Sequence, residues 1–184
     1  FGTHQVLMVR RFDRGGDPFK PTRKLYASAH TALRLRLDSV KGDPGRSYLA
    51  LADRLRIWLR DGAHDHRERL GRQLAELWKR MAFNALVGNT DDHVLNTGLL
   101  FDRVSEGDDR MGWGLSPAFD ITPNMVAPPQ NIEEGPSLSL ATGPDGLSGT
   151  SVARLVDAAQ RMGLDRDDAS QWLMETARHV AEQW

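Results

Sequence analysis

Apolar positions recur along this chain with two different periods, and the places where the period changes mark its elements. Over residues 47–61, Leu51, Leu55, Trp58 and Leu59 fall on one helical face, with Gly62 just past the end. The strongest helical pattern covers residues 65–87, where Leu70, Leu74, Leu77, Met81, Ala85 and Leu86 repeat every 3.6 positions until Gly88 stops the run. The pattern then shortens to that of strands, over residues 97–102 and 111–115, joined by the polar loop Ser105-Glu106-Gly107-Asp108-Asp109. A Pro/Gly-rich stretch, residues 123–149, contains one alternating segment, Ser137-Leu138-Ser139-Leu140, which predicts a short strand.

Two helical patterns close the chain. The first places Val152, Leu155, Val156, Ala159 and Met162 inward, and the second Ala169, Trp172, Leu173, Thr176, Ala177 and Val180. Asp165, with Asp168 three residues on, is placed to cap the last of them. At the other end, Val6, Leu7, Met8 and Val9 lie in a run to Phe12 that reads as a strand, and residues 13–18 read as a loop. The fold class expected from these elements is mainly α with a short β-hairpin, one α+β lobe rather than a symmetric sheet.

Composition narrows the function classes. With 24 Lys and Arg against 25 Asp and Glu, the net charge is −1, so no general basic field favours nucleic acid. Cysteine is absent, which excludes disulfides and thiolate metal sites and makes a reducing, cytoplasmic setting the expectation. No apolar run reaches the length of a membrane span. The chain opens Phe1-Gly2-Thr3 without Met and runs at once into the strand-like segment, which reads as the interior of a longer polypeptide.

The chemistry concentrates in Gly88-Asn89-Thr90-Asp91-Asp92-His93-Val94-Leu95-Asn96, a polar loop between a strong helix and a hairpin. Asp91 is followed five positions later by Asn96. Kinase-type phosphotransferases use this D-x-x-x-x-N spacing so that the carboxylate meets the acceptor hydroxyl while the Asn carbonyl turns back to Mg²⁺. They also need an anionic metal ligand delivered after a short hairpin, and Asp120, in Ser116-Pro117-Ala118-Phe119-Asp120-Ile121-Thr122-Pro123, stands there. Asp92 lacks the five-residue offset and reads as a solvated spacer, and His93 as a brace of the loop. Of the other polar groups, His64-Asp65-His66 invites a metal reading, but no third ligand lies at helical spacing and Asp65 suits a helix N-cap better. Arg34, Arg36, Arg54 and Arg56 read as a solvated helix face, and Trp113 as packing.

Residues 84–96, the segment Gly112-Trp113-Gly114-Leu115-Ser116-Pro117-Ala118-Phe119-Asp120-Ile121-Thr122-Pro123, and Val9-Arg10-Arg11-Phe12-Asp13-Arg14 together resemble the HipA-like toxin kinases. That resemblance covers nearly the whole chain and is weakest over residues 14–46 and 124–147. It implies a protein-kinase-like C-terminal lobe over residues 1–184, with a hinge strand at 1–13 and the catalytic and metal-binding loops at 88–123. It further implies an ATP- and Mg²⁺-dependent Ser/Thr protein kinase, with Asp91 as catalytic base and Asn96 and Asp120 as Mg²⁺ ligands. The hinge backbone near Arg10 and Phe12 would meet the adenine, although Arg10 stands where an acidic residue is expected.

In such kinases the best-known targets are aminoacyl-tRNA synthetases, and the usual partner is a DNA-binding antitoxin. Direct nucleic-acid or membrane binding by this chain is not expected. The phosphate-covering loop and nucleotide-binding Lys precede the hinge in that family, so the expected lobe transfers no phosphate by itself. Two other readings share the pattern: a non-catalytic kinase-fold module acting through partner contact, and a small-molecule phosphotransferase with the same loop logic.

Overall fold

A computed structural model describes residues 9–17, 19–60, 65–104, 107, 109–124 and 135–183. The order of elements is β1 (Arg14–Asp17), β2 (Lys20–Arg23), β3 (Leu25–Ser28), α1 (Ala29–Leu33), α2 (Tyr48–Trp58), α3 (His66–Leu86), β4 (Gly98–Arg103), β5 (Met111–Leu115), α4 (Val152–Met162) and α5 (Arg166–Gln183). Among the described residues this makes five helices and two small antiparallel sheets, one of order β1-β2 and one of order β3-β4-β5.

The centre of the structure is α3, because its apolar stripe is broad enough to be covered from several sides. Leu74, Leu77, Trp78, Met81, Ala82 and Ala85 are all buried, and α2, α4 and α5 pack on them. Trp78 ties three helices together. Its indole N–H donates to the Leu155 carbonyl in α4 (2.8 Å), and its ring meets Trp172 of α5 edge-on with centroids 5.3 Å apart. Where α2 starts, the Ser47 hydroxyl accepts the Ala50 N–H (3.0 Å) as an N-cap, and Leu51, Leu55 and Leu59 enter the same core. The start of α5 is capped by Asp165, whose Oδ1 accepts the N–H groups of Asp167 (2.8 Å) and Asp168 (3.1 Å); these bonds hold its carboxyl below the usual range.

In the three-stranded sheet, β4 lies in the middle, with Leu99 opposite Leu115 on one side and Ala27 on the other. Leu99 and Leu100 point to opposite faces of the sheet and both are buried, so an unbroken apolar run, Leu99-Leu100-Phe101, replaces alternation here. Trp113 of β5 packs edge-on against Phe101 and Trp58, the structural role expected of it.

Several expectations need correction. Residues 14–17, expected as loop, pair antiparallel with β2 in the register Arg14↔Arg23 to Asp17↔Lys20. This ribbon is mostly exposed and so carries no apolar alternation; backbone pairing and a turn in which the Phe19 N–H donates to Asp17 Oδ1 (2.7 Å) define it. The strand expected over Ser137-Leu138-Ser139-Leu140 is not formed. Leu138 and Leu140 are buried as the alternation requires, but among the described residues no neighbouring strand makes a ladder with them, and the next residue, Ala141, makes an isolated bridge with Ser47. Val152, expected inside, is 68% exposed because it opens the first turn of α4. Asp65 makes no side-chain capping bond; its carboxylate instead takes a two-pronged pair from Arg110 (3.0 and 2.7 Å). The strand expected over Val6–Val9 lies outside the described residues apart from Val9, and residues 9–12 are not in a strand.

Candidate active site

The loop that follows α3 is built by a change of backbone hand. Gly88 takes φ +66°, and a Cβ placed there would sit 2.3 Å from the Asn124 carbonyl oxygen. Asn124 in turn donates its N–H to the Val87 carbonyl (2.8 Å). The start of the loop and the chain beyond Asp120 are therefore stitched together at one point. Gly88→Ala combines a left-handed alanine with a backbone collision, and we expect it to destabilise the fold by about 1–3 kcal/mol. A urea midpoint equal to that of wild type would contradict this account of the junction.

Asn96 closes the other end of the loop. Its Nδ2 donates to the Asp91 carbonyl (2.9 Å), and its backbone N–H to the His93 carbonyl (2.8 Å). A carbonyl can only accept, so the amide nitrogen must face Asp91 and Oδ1 is turned the other way. On the facing segment, Ser116 donates its N–H to the Gly98 carbonyl (2.9 Å), which carries the chain from β5 back beside the loop. Asp120 follows with φ +56°, a left-handed conformation that among L-residues Asp and Asn tolerate best.

These paths bring Asn96 and Asp120 to one cleft, together with Asn84, Asn89, Asp92 and Phe119. The cleft is narrow, about 10 Å³, roughly what one water-sized sphere occupies. An amide oxygen and a carboxylate are hard donors of the type that Mg²⁺ takes, usually alongside waters and substrate phosphates. Asn96 and Asp120 offer donors of that type, and Arg80, which also lines the cleft, has its charge paired with Glu76 (2.7 Å). Asp91 is not among the residues lining this cleft; its side chain is 82% exposed, with Oδ1 4.0 Å from His93 Nε2. His93 braces the loop as expected, its Nδ1 accepting the Leu95 N–H (3.3 Å).

Arg10 and Phe12 lie elsewhere. They line a larger cavity of about 670 Å³ with Leu100, Trp113, Leu115 and Pro117, where Lys24 pairs with Asp102. The two hollows adjoin through residues 117–121: Pro117 faces the larger one and Ala118 to Ile121 the cleft. Phe12 packs between Tyr26 (6.0 Å) and Phe119 (5.4 Å), so the hinge segment touches the residue next to Asp120. Of the His64-Asp65-His66 trio, His64 lies outside the described residues, and His66 bonds the Leu59 carbonyl (3.0 Å). Among the described residues no group of three or more His, Cys, Asp or Glu is placed to hold a metal ion.

Asp92 is the residue that the sequence misassigned. It is 3% exposed, not solvated. Its Oδ2 accepts the Tyr48 hydroxyl (2.6 Å) and its Oδ1 the Ser139 N–H (2.6 Å). Asn84 donates to the same Tyr48 oxygen (3.2 Å), and Asn89 to Asn84 Oδ1 (3.0 Å). Burial pushes the Asp92 carboxyl up to about 6 against an ordinary value of 3.8, and the same burial raises the Tyr48 hydroxyl well above its usual range. No periodicity points to this burial. The signal available was an acidic residue directly beside Asp91 in a loop otherwise fixed at both ends.

The raised carboxyl has a consequence for stability. Between the two values the native state holds a proton that the unfolded chain has released, so stability falls as pH rises through this window. The contribution is fully present only below about 4 and is lost above about 6, a change on the order of 3 kcal/mol. Asp92→Asn lacks this slope. Urea unfolding at pH 4 and pH 7 should show wild type losing ground to the variant as pH rises; parallel curves would place the carboxyl at its ordinary value.

Among the described residues no helix is long and apolar enough to cross a membrane. No curated protein matches the chain at a significant level. The HipA-like C-terminal domain family, by contrast, matches residues 1–184. That domain belongs to a Ser/Thr kinase family, and HipA family kinases use ATP and Mg²⁺. A loop with kinase spacing, a second acid delivered after a hairpin, and a family match from end to end agree: the chain belongs to the HipA-like C-terminal domain family, the kinase-family region of HipA toxins.

Proposed function

We propose that this chain is the catalytic lobe, residues 1–184, of an ATP- and Mg²⁺-dependent Ser/Thr protein kinase of toxin–antitoxin type. The observation that supports it is the meeting of Asn96 and Asp120 in one narrow cleft, with Asp91 tied to Asn96 through its backbone carbonyl. Asn96, through Oδ1, and Asp120, through its carboxylate, would hold Mg²⁺. Bound there, the ion neutralises phosphate charge as it develops. Asp91 accepts the proton of the attacking hydroxyl from the solvent side, where its exposure leaves room for a protein acceptor. The adenine lies against the hinge near Arg10 and Phe12, in the larger cavity that adjoins the cleft through residues 117–121.

The substrate we propose is a translation-related protein such as an aminoacyl-tRNA synthetase, and the partner an antitoxin that itself binds DNA, in the cytoplasm. The test uses the full-length protein with Mn²⁺ as a paramagnetic stand-in for Mg²⁺. Asp120→Asn should weaken Mn²⁺ binding in the presence of nucleotide by at least about tenfold, because it removes the anionic ligand. Equal Mn²⁺ affinity in variant and wild type would sink the metal assignment. Label from γ-labelled ATP should appear on Ser or Thr of a translation-protein fraction, and its absence would sink the kinase reading.

A further inference from the structure

The catalytic loop is gripped from beneath by a closed ring of hydrogen bonds. Tyr48, the first residue of α2, donates its backbone N–H to the Ala141 carbonyl (3.0 Å) and its hydroxyl to Asp92 Oδ2 (2.6 Å). The other oxygen of Asp92 accepts the N–H of Ser139, two residues before Ala141 (2.6 Å). Loop, helix start and residues 139–141 are thus joined through one carboxylate and one phenol. A branch runs from Tyr48 through Asn84 to Asn89, so the loop is held at residue 89 as well as at residue 92.

Asp91 stands between these two anchors and owes little to its own side chain. Its carboxylate is exposed, while the peptide that carries it is fixed by Asp92 on one side and by Asn96 at its carbonyl. Simple core support does not need a carboxylate here. An apolar residue would fill the space without the desolvation of an acid, and Arg80, which lines the same cleft, is paired with Glu76 (2.7 Å). What a carboxylate adds is two acceptor oxygens with fixed directions, each of which binds a different segment.

We infer that Asp92, held by Tyr48 and Ser139, is a positioning residue that fixes the direction of Asp91 and couples the catalytic loop to residues 139–141. This rests on the kinase reading for the role of Asp91, but the coupling itself does not. Residues 139–141 continue from Ser137, which borders a groove of about 560 Å³ with Lys41, Ser148 and Arg154. A change in that segment is therefore transmitted to the base through Asp92.

The test is Tyr48→Phe in the full-length protein, which keeps the ring in the core and removes only the hydroxyl; Asp92→Asn is the companion variant. Hydrogen exchange should rise by about tenfold together in residues 89–96 and 138–141, with α3 unchanged. In phosphoryl transfer, kcat should fall by about tenfold and by more than KM for ATP rises, since the adenine contacts proposed near Arg10 and Phe12 are untouched. Should Asp92→Asn fail to fold, Tyr48→Phe decides alone. Loosening of only one segment, or none, overturns the coupling. Joint loosening with kcat unchanged in an active enzyme overturns the positioning role. A wild type without phosphoryl transfer overturns the kinase reading, and the positioning role with it, leaving the ring as a structural tie.

Discussion

Asp91→Asn in the full-length protein should lower phosphoryl transfer by roughly 10²–10⁴-fold, the range that a positioned general base supplies. Its thermal stability should stay within about 1 kcal/mol of wild type. Both expectations follow from where the group sits. The side chain is 82% exposed and its one ion-pair contact among the described residues is His93, at 4.0 Å, so the fold gains little from its charge. The bond that closes the loop uses the backbone carbonyl of Asp91, which asparagine retains. The amide, however, cannot take a proton from an acceptor hydroxyl. Single-turnover transfer with matched thermal melts measures both quantities. A variant that unfolds would make Asp91 a structural residue, and one that keeps its rate would move the base elsewhere.

Trp78→Ala should have the largest effect on the fold, about 3–5 kcal/mol. For a domain whose whole stability is of order 5–15 kcal/mol, that is enough to leave much of the protein unfolded at physiological temperature. Trp78 is among the largest side chains here with 0% exposure, and no other element can collapse into its volume without moving α4 or α5. The substitution also strands the Leu155 carbonyl, which accepts the indole N–H. Trp78→Phe separates the two contributions, because it keeps most of the ring and loses the bond; it should cost about 1–2 kcal/mol. Urea unfolding measures both. A loss below about 1.5 kcal/mol for the alanine variant would mean that the three helices are not locked through this ring.

The sequence by itself determined the elements whose own residues carry their reason. The helices α2, α3, α4 and α5 and the hairpin β4–β5 each present an apolar face with the right period, and burial of that face is what stabilises them. The loop spacing of Asp91 and Asn96 was equally legible, because the chain between them is too short to place the two groups far apart. Asp120 was legible as an acid following a hairpin, although its left-handed backbone was not. β1 and β2 are largely exposed, and β3 and α1 are only four and five residues long, so none of them writes a readable period, although α1 buries Ala29, Ala32 and Leu33.

Tertiary structure alone decided how the site is held. The five-residue offset to Asn96 singles out Asp91, but nothing local shows that Asp92, an acid in the same polar loop, is buried. Asp91 is left exposed, and Asp92 is buried because Tyr48, at the start of α2, and Ser139, 47 residues beyond Asp92, converge on it. The same holds for Ser137-Leu138-Ser139-Leu140, whose alternation specifies which side chains go inward but cannot supply a partner strand. Asp65 is drawn from its helix terminus to Arg110 for a like reason: an ionic partner that arrives through folding outcompetes the local backbone bond. Period and spacing are properties of neighbouring residues, and so can be read along the chain. Burial of a charge depends on which distant groups arrive to satisfy it, and only the folded chain sets that.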